Sequence, residues 1–178
     1  MKGFFPGKAG DADLDKQIYT EAVRRNSQRV YLLALSFTRQ RQDAEDVIQT
    51  VFLKLWTHPV AFTDETHMDK WLTKVTVNES RSLLRARARE PISYDELEAL
   101  GAVAEQPEER ELISAVMQLP EPLRAVIHLH YYEDLPVKEI ADLLKISQAA
   151  VKMRLVRGRN RLKAKLTEGE DYGSETIS

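Results

Sequence analysis

Asp43-Ala44-Glu45-Asp46-Val47-Ile48-Gln49-Thr50-Val51-Phe52-Leu53-Lys54-Leu55-Trp56 is the stretch on which the reading of this chain turns. Ala44, Val47, Ile48, Val51, Phe52 and Leu55 recur at i, i+3, i+4, i+7, i+8 and i+11, which is one face of a helix. Asp43, Glu45, Asp46 and Gln49 fall off that stripe and give the helix an acidic, amide-bearing side. Taken alone, the pattern fits an ordinary amphipathic surface helix as well as a docking surface. The segments around it decide between the two.

The chain has 178 residues, enough for one or two domains with a modest core each. Its formal net charge of -2 averages over blocks of opposite sign. Lys70, Lys74, Arg81, Arg85, Arg87 and Arg89 face the single acid Glu79 in their segment. From Lys145 to Lys165 the bases Lys152, Arg154, Arg157, Arg159, Arg161 and Lys163 occur with no acid among them. Between these blocks the sign inverts, with Glu90, Asp95, Glu96, Glu98 and Glu105 running up to Glu108 and Glu109. The pattern is two basic modules joined by an acidic connector.

There is no cysteine, which excludes disulfides, thiolate metal sites and cysteine nucleophiles. Residues 1–13 carry Phe4 and Phe5 but no apolar core of a signal peptide, and no run is long enough to span a bilayer. The expectation is a cytoplasmic protein without membrane insertion. Residues 1–13 and 167–178 are expected to be disordered ends.

Strand signals are nearly absent and helical periodicity recurs, so the predicted fold is all-α. A first helix is predicted from about Leu14 to Thr38, with Ile18, Ala22, Val30, Leu33, Ala34 and Phe37 inward. After the opening stretch, Thr57 to Thr66 with Pro59 reads as a loop. A helix from about Met68 to Ala88 is predicted to bury Trp71, Leu72, Val75 and Leu84, and Pro91 follows its end. This gives a domain over 14–89 and a flexible acidic linker over 90–107. A flexible linker of about 17 residues spans roughly 23 Å on average and about 60 Å fully extended. It can therefore join modules bound more than one DNA turn, about 34–36 Å, apart.

The second domain is predicted over 108–166. Pro120 and Pro122 separate a helix ending near Leu119 from one running to about Tyr132. Leu135-Pro136 opens a short helix through Leu144, Lys145-Ile146 turns, and Ser147 caps a long helix to about Leu166. Pro136 to Leu162 fits a helix-turn-helix with Ile140, Leu144, Ile146, Val151 and Leu155 as apolar posts and the small Ala141 at the close approach. Lys145 stands where glycine is usual; a left-handed conformation there costs about 1 kcal/mol. The competing reading is a plain helical hairpin with a solvated basic face.

Rotation by about 100° per residue puts Val151, Leu155, Gly158 and Leu162 on one side of the last helix. Ala149, Lys152, Met153, Val156, Arg157 and Asn160 point away from it. Met153 and Val156 are apolar yet outward, as suits contact with thymine methyls or sugars, while Lys152 and Arg157 reach guanine edges or phosphates. On the earlier basic helix, Asn78 supplies an amide able to read a base edge, and Lys74, Arg81, Arg85 and Arg87 supply cations to track a backbone. Asn78 is equally readable as a surface or capping amide, and Trp71 reads as core ahead of a stacking platform. His128 and His130, at i and i+2, face differently, and His58 and His67 lie in or beside a loop; these read as surface or half-buried side chains, not as a metal site. No phosphate loop, catalytic carboxylate pair or nucleophilic constellation is visible.

The order of these motifs resembles the bacterial RNA polymerase sigma factors, specifically the small two-domain extracytoplasmic-function (ECF) group. The resemblance covers about Leu14 to Leu166. Asp43 to Trp56 is similar to the segment that docks these factors on the clamp helices of the polymerase β′ subunit. That likeness implies core-polymerase contacts for Asp46, Gln49, Leu53 and Trp56; Thr50 stands where an acid often follows the glutamine. Trp71-Leu72 and Val77-Asn78 resemble the minus-ten reader, implying minus-ten DNA contacts for Lys74, Asn78, Arg81, Arg85 and Arg87. Ser147 to Arg159 resembles the minus-35 recognition helix, implying contacts for Gln148, Lys152, Met153, Val156, Arg157 and Arg159. Ala149-Ala150 replaces a common Gly-Thr there, and Met153 a common Ser, which bears on the preferred sequence. The resemblance implies core RNA polymerase and promoter DNA as partners, an anti-sigma factor as a restraint, no cofactor and no enzymatic activity. Two other readings compete. A sigma-like decoy for an anti-sigma factor would lack strong basic faces. An autonomous helix-turn-helix regulator would need a dimer helix.

Overall fold

Asp64 shows how local chemistry sets the element boundaries. Its carboxylate accepts the backbone N–H of His67 at 2.8 Å, so the third helix starts at Glu65, one turn before the expected Met68. The computed structural model describes residues 12–57, 62–86 and 107–173. The central part of the expected Pro59 loop, the linker acids, Arg87 and the outermost ends lie outside the described residues. The chain divides into two units, residues 1–89 and 90–178.

In the first unit α1 (Ala12–Thr38), α2 (Arg41–Thr57) and α3 (Glu65–Ala86) pack pairwise on one another. The expected inward residues of α1 from Ala22 to Phe37 are buried, as are Ala44, Val47, Val51, Phe52 and Leu55 of α2. The tight α1–α2 corner puts Arg39 in the left-handed region, φ 59°, with its N–H donating to Leu35 O at 2.9 Å. Asp43 departs from expectation. It is only 3% exposed, so it belongs to the core side of α2 and not to the acidic surface.

The buried side of α3 also differs from the one expected. Trp71, Val75 and Leu84 are half-buried, whereas Thr73, Thr76 and Ser80 are buried beside Leu72 and Val77. A threonine can enter a core when its hydroxyl turns back on its own helix. Thr76 Oγ1 donates to Leu72 O at 2.7 Å, and Thr73 Oγ1 to Asp69 O at 2.9 Å. Ion pairs link the helices at the surface: Arg25 to Glu65, Arg29 to Asp69 and Lys54 to Glu79.

In the second unit α4 (Pro107–Met117), α5 (Glu121–Tyr131) and α6 (Val137–Leu144) pack against α7 (Gln148–Gly173). All the regular structure among the described residues is helical, as expected. Pro122 falls inside the first turn of α5, where its missing N–H costs nothing. Arg124 is completely buried, and its Nη1 donates to Leu119 O at 2.6 Å and Met117 O at 3.3 Å. A charged side chain thus satisfies carbonyls left open where α4 ends.

The α6–α7 turn forms as the sequence predicts. Lys145 is left-handed (φ 55°, ψ 49°), and the N–H groups of Lys145 and Ile146 both reach Ala141 O. Ser147 Oγ accepts the N–H of Ala150 at 3.1 Å and caps α7. That helix continues to Gly173, past the expected end near Leu166. No proline interrupts it, and a single glycine such as Gly169 costs only about 1 kcal/mol in a helix already formed.

Candidate nucleic-acid interface

Arg87 apart, each expected contact set lies on the outward side of one helix. On α7, Gln148, Lys152, Met153, Val156, Arg157 and Arg159 are all exposed, while Val151, Leu155 and Gly158 are buried against the rest of the unit. Met153 is 55% and Val156 47% exposed, so two apolar side chains stand in solvent between cations. An apolar pair flanked by Lys152 and Arg157 is poorly suited to water and well suited to a groove edge carrying methyl groups. Arg154 is half-buried, nearer the packed side. α6 packs on the Val151–Leu155 side of α7, so the opposite side of its first turns is presented.

On α3, Lys74, Asn78, Arg81 and Arg85 follow one another at helical spacing on a single side. Lys74, Asn78 and Arg85 are exposed and Arg81 is half-buried. Lys70 continues the stripe by one turn and is also exposed, an extension that spacing alone reveals. Arg87 lies outside the described residues. Trp71 is half-buried and meets Phe62 edge-on, ring centroids 5.7 Å apart, which ties its ring into the packing of the first unit.

On α2, Asp46, Gln49, Leu53 and Trp56 form a third stripe, all exposed. Leu53 is 61% and Trp56 53% exposed. Beside them runs a groove of about 870 Å³ whose other wall is α1, including Lys16, Tyr19 and Val23. Ile48, expected in the core, is half-buried and lines this groove. Tyr19 supports Trp56 from below with centroids 4.9 Å apart and planes at 65°, and its hydroxyl donates to Phe52 O at 3.3 Å. Burial raises the Tyr19 pKa above the ordinary tyrosine value, so the ring remains a neutral phenol. Sequence reading had no signal for this support, because the contact joins two helices and no period within either predicts it. Thr50 Oγ1 is bonded to Asp46 O at 2.9 Å, within its own helix.

Among the described residues no group of His, Asp and Glu is placed to hold a metal. His128 is buried, more than the sequence suggested, and stacks on Tyr132 with centroids 4.9 Å apart. No described helix is long and apolar enough to cross a membrane.

Two family models match, Sigma-70 region 2 over residues 22–90 and Sigma-70 region 4 over residues 109–162. The ECF RNA polymerase sigma factor SigM of Bacillus subtilis is 31% identical over 147 residues, covering 79% of this chain and 90% of that protein. The chain belongs to the ECF RNA polymerase sigma factors. An ECF sigma factor binds core RNA polymerase and directs promoter recognition and the initiation of transcription, and both regions needed are present. RfaY of Xanthomonas campestris is 29% identical over 168 residues, and the chain spans 42% of that protein's length. Among solved structures, the fold is similar to the sigma factor RpoE in complex with the anti-sigma factor NepR from Bartonella quintana. That likeness has a TM-score of 0.62 at 20% identity, covering 84% of this chain and 96% of that one. CnrH, solved with the cytosolic domain of CnrY, gives a TM-score of 0.55 at 25% identity, covering 86% of this chain and 90% of that one.

Region 2 of this sigma factor therefore comprises the α1–α3 unit, and region 4 the helix-turn-helix unit. The α2 and α3 stripes lie in region 2 and the α7 stripe in region 4.

Proposed function

We propose that the three stripes divide the work of initiation. The α2 stripe (Asp46, Gln49, Leu53, Trp56) docks on the clamp helices of the polymerase β′ subunit. The α3 stripe (Lys74, Asn78, Arg81, Arg85) and, beyond the described residues, Arg87 hold the opened minus-ten strand. The α7 stripe reads the minus-35 duplex, with Lys152, Met153, Val156 and Arg157 at base edges and Gln148 and Arg159 beside them. The protein acts in the cytoplasm as an initiation factor without catalytic activity of its own.

The observation that carries this reading is the exposed Lys152-Met153 and Val156-Arg157 face, presented by a capped helix whose opposite side is buried. A solvated surface helix gains nothing from two exposed apolar residues there. A DNA groove does.

An anti-sigma factor completes the partner set. RpoE, which shares this fold, is solved with one. The α1–α2 groove, with exposed Leu53 and Trp56 at its rim, suits the apolar side of a partner helix. The domain limits proposed are 14–89 and 108–166, joined by the acidic connector over 90–107.

The test is reconstituted transcription. Core polymerase alone and core polymerase with this chain are compared on a duplex library randomised upstream of a fixed reporter. Initiation from a sequence-defined subset only when the chain is present is the expected result. Initiation no different from core polymerase alone overturns the reading.

A further inference from the structure

Tyr131 closes α5 with a side chain 49% exposed, and its hydroxyl oxygen accepts a hydrogen bond from Arg159 Nη1 of α7 at 3.3 Å. The ring has a second contact. The His130 ring meets it edge-on, centroids 4.9 Å apart and planes at 72°. His130 is fixed in turn, because its Nδ1 lies 3.0 Å from the carbonyl oxygen of Leu135, just ahead of the helix-turn-helix. A carbonyl oxygen can only accept, so Nδ1 carries the proton and the imidazole orientation is set. A continuous chain, Leu135 to His130 to Tyr131 to Arg159, thus runs from the entrance of the helix-turn-helix to the flank of its recognition helix.

We propose that Tyr131 is a positioning residue for minus-35 recognition, holding the Arg159 guanidinium where it meets the phosphate backbone. The role rests on the reading of α7 given above. An arginine on an exposed helix face samples many rotamers, and each must be given up when the duplex binds. An oxygen fixed beside the helix selects among them before DNA arrives. It occupies one of the five N–H donors and leaves the others for a phosphate. The tyrosine carries no charge, so it adds nothing of its own to the salt dependence, and its whole effect runs through Arg159.

The experiment uses the full chain assembled with core polymerase, on a duplex promoter chosen by that assembly from a randomised library. Affinities are compared for wild type, Tyr131→Phe, Arg159→Ala and the double variant, each also on the same duplex with its minus-35 segment scrambled. Tyr131→Phe removes only an exposed hydroxyl, and amide exchange of α5 and α7 verifies that the fold is kept. Loss of that hydrogen bond is expected to weaken binding about three- to tenfold in the wild-type background. In the Arg159→Ala background the same change is expected to have less than about a twofold effect. Equal losses in both backgrounds, or none in either, overturn the positioning role. An Arg159→Ala variant that binds like wild type also overturns it, while a sequence-altering effect of Arg157→Ala would still uphold the reading of α7. If the wild type is indifferent to scrambling of the minus-35 segment, the reading of α7 itself fails and the proposal with it.

Discussion

Gly158 of α7 packs so closely on Ile127 of α5 that a Cβ at position 158 would stand 2.8 Å from Ile127 Cγ1 and 3.0 Å from its Cδ1. Ile127 is itself buried at 2% exposure, so a shift of its side chain disturbs the packing around it. The close approach brings the α7 backbone against α5 in the region 4 core. Gly158→Ala gains about 1 kcal/mol of helix propensity, but overpacking a closed core costs about 1–3 kcal/mol. The variant is expected to be destabilised, seen as faster amide exchange in α5 and α7. Ile127→Ala removes the clashing atoms, so the pair is expected to be less unstable than the sum of the two single changes. Strict additivity would argue that the contact relaxes freely.

Asp46→Ala with Gln49→Ala is expected to weaken binding to core polymerase while helicity is retained, because both side chains are exposed, outside the buried side of α2. Trp56→Ala is expected to cost more, about 2 kcal/mol, as a large aromatic desolvated at an interface usually does. Titration of labelled chain against core polymerase checks both. Unchanged affinity with normal circular dichroism would remove α2 from the docking surface.

Asn78→Ala is expected to impair discrimination of a minus-ten single strand while leaving affinity for minus-35 duplex unaltered. Asn78 is exposed at the centre of the α3 stripe, between Lys74 and Arg81. Binding of the polymerase assembly to single-stranded probes, matched and mismatched at each minus-ten position, reads this out. Full discrimination by the variant would reassign Asn78 to the surface.

Arg25 and Glu65 form an exposed ion pair whose contribution to region 2 falls in acid. The hydrogen bond from Arg25 holds the Glu65 carboxyl below the ordinary glutamate range, with Arg25 Nη2 2.8 Å from Glu65 Oε2. A carboxyl lowered in the folded state stabilises it fully above its unfolded pKa. That contribution is lost as pH falls through the folded value. Glu65→Gln is expected to flatten the acid limb of region 2 unfolding slightly, since the pair is solvent-exposed and screened. Superimposable acid limbs for the two proteins would show that the pair contributes nothing.

Much of this architecture is legible in the sequence, and the exceptions have physical reasons. The apolar period of α2, the Ser147 cap and the left-handed Lys145 are local features, and each lies where the residues themselves indicate. So does the outward face of α7, because Val151, Leu155 and Gly158 leave it no other orientation. Periodicity fails where a polar side chain finds its partner inside. Thr73 and Thr76 bond to their own helix and Arg124 reaches the carbonyls that close α4, so all three are buried despite their polarity. Asp43 is buried for a related reason of position, at the tight corner that Arg39 makes possible. The Tyr19 support of Trp56 and the Tyr131 contact with Arg159 are tertiary pairings that no single-helix pattern contains.

The claim at the centre of this account is that the exposed face of α7 reads promoter DNA, and Arg157 tests it most directly. Wild type and Arg157→Ala, each assembled with core polymerase, are put through the same binding selection on duplex randomised across the minus-35 region. A base-reading arginine is worth about 1–3 kcal/mol on its preferred site, so the variant is expected to return a different preferred sequence at one or two positions. By contrast, loss of a phosphate contact weakens all sequences alike and lowers the salt slope by about one. Return of the wild-type motif, merely weakened, would contradict base reading by Arg157 and move that residue to the backbone.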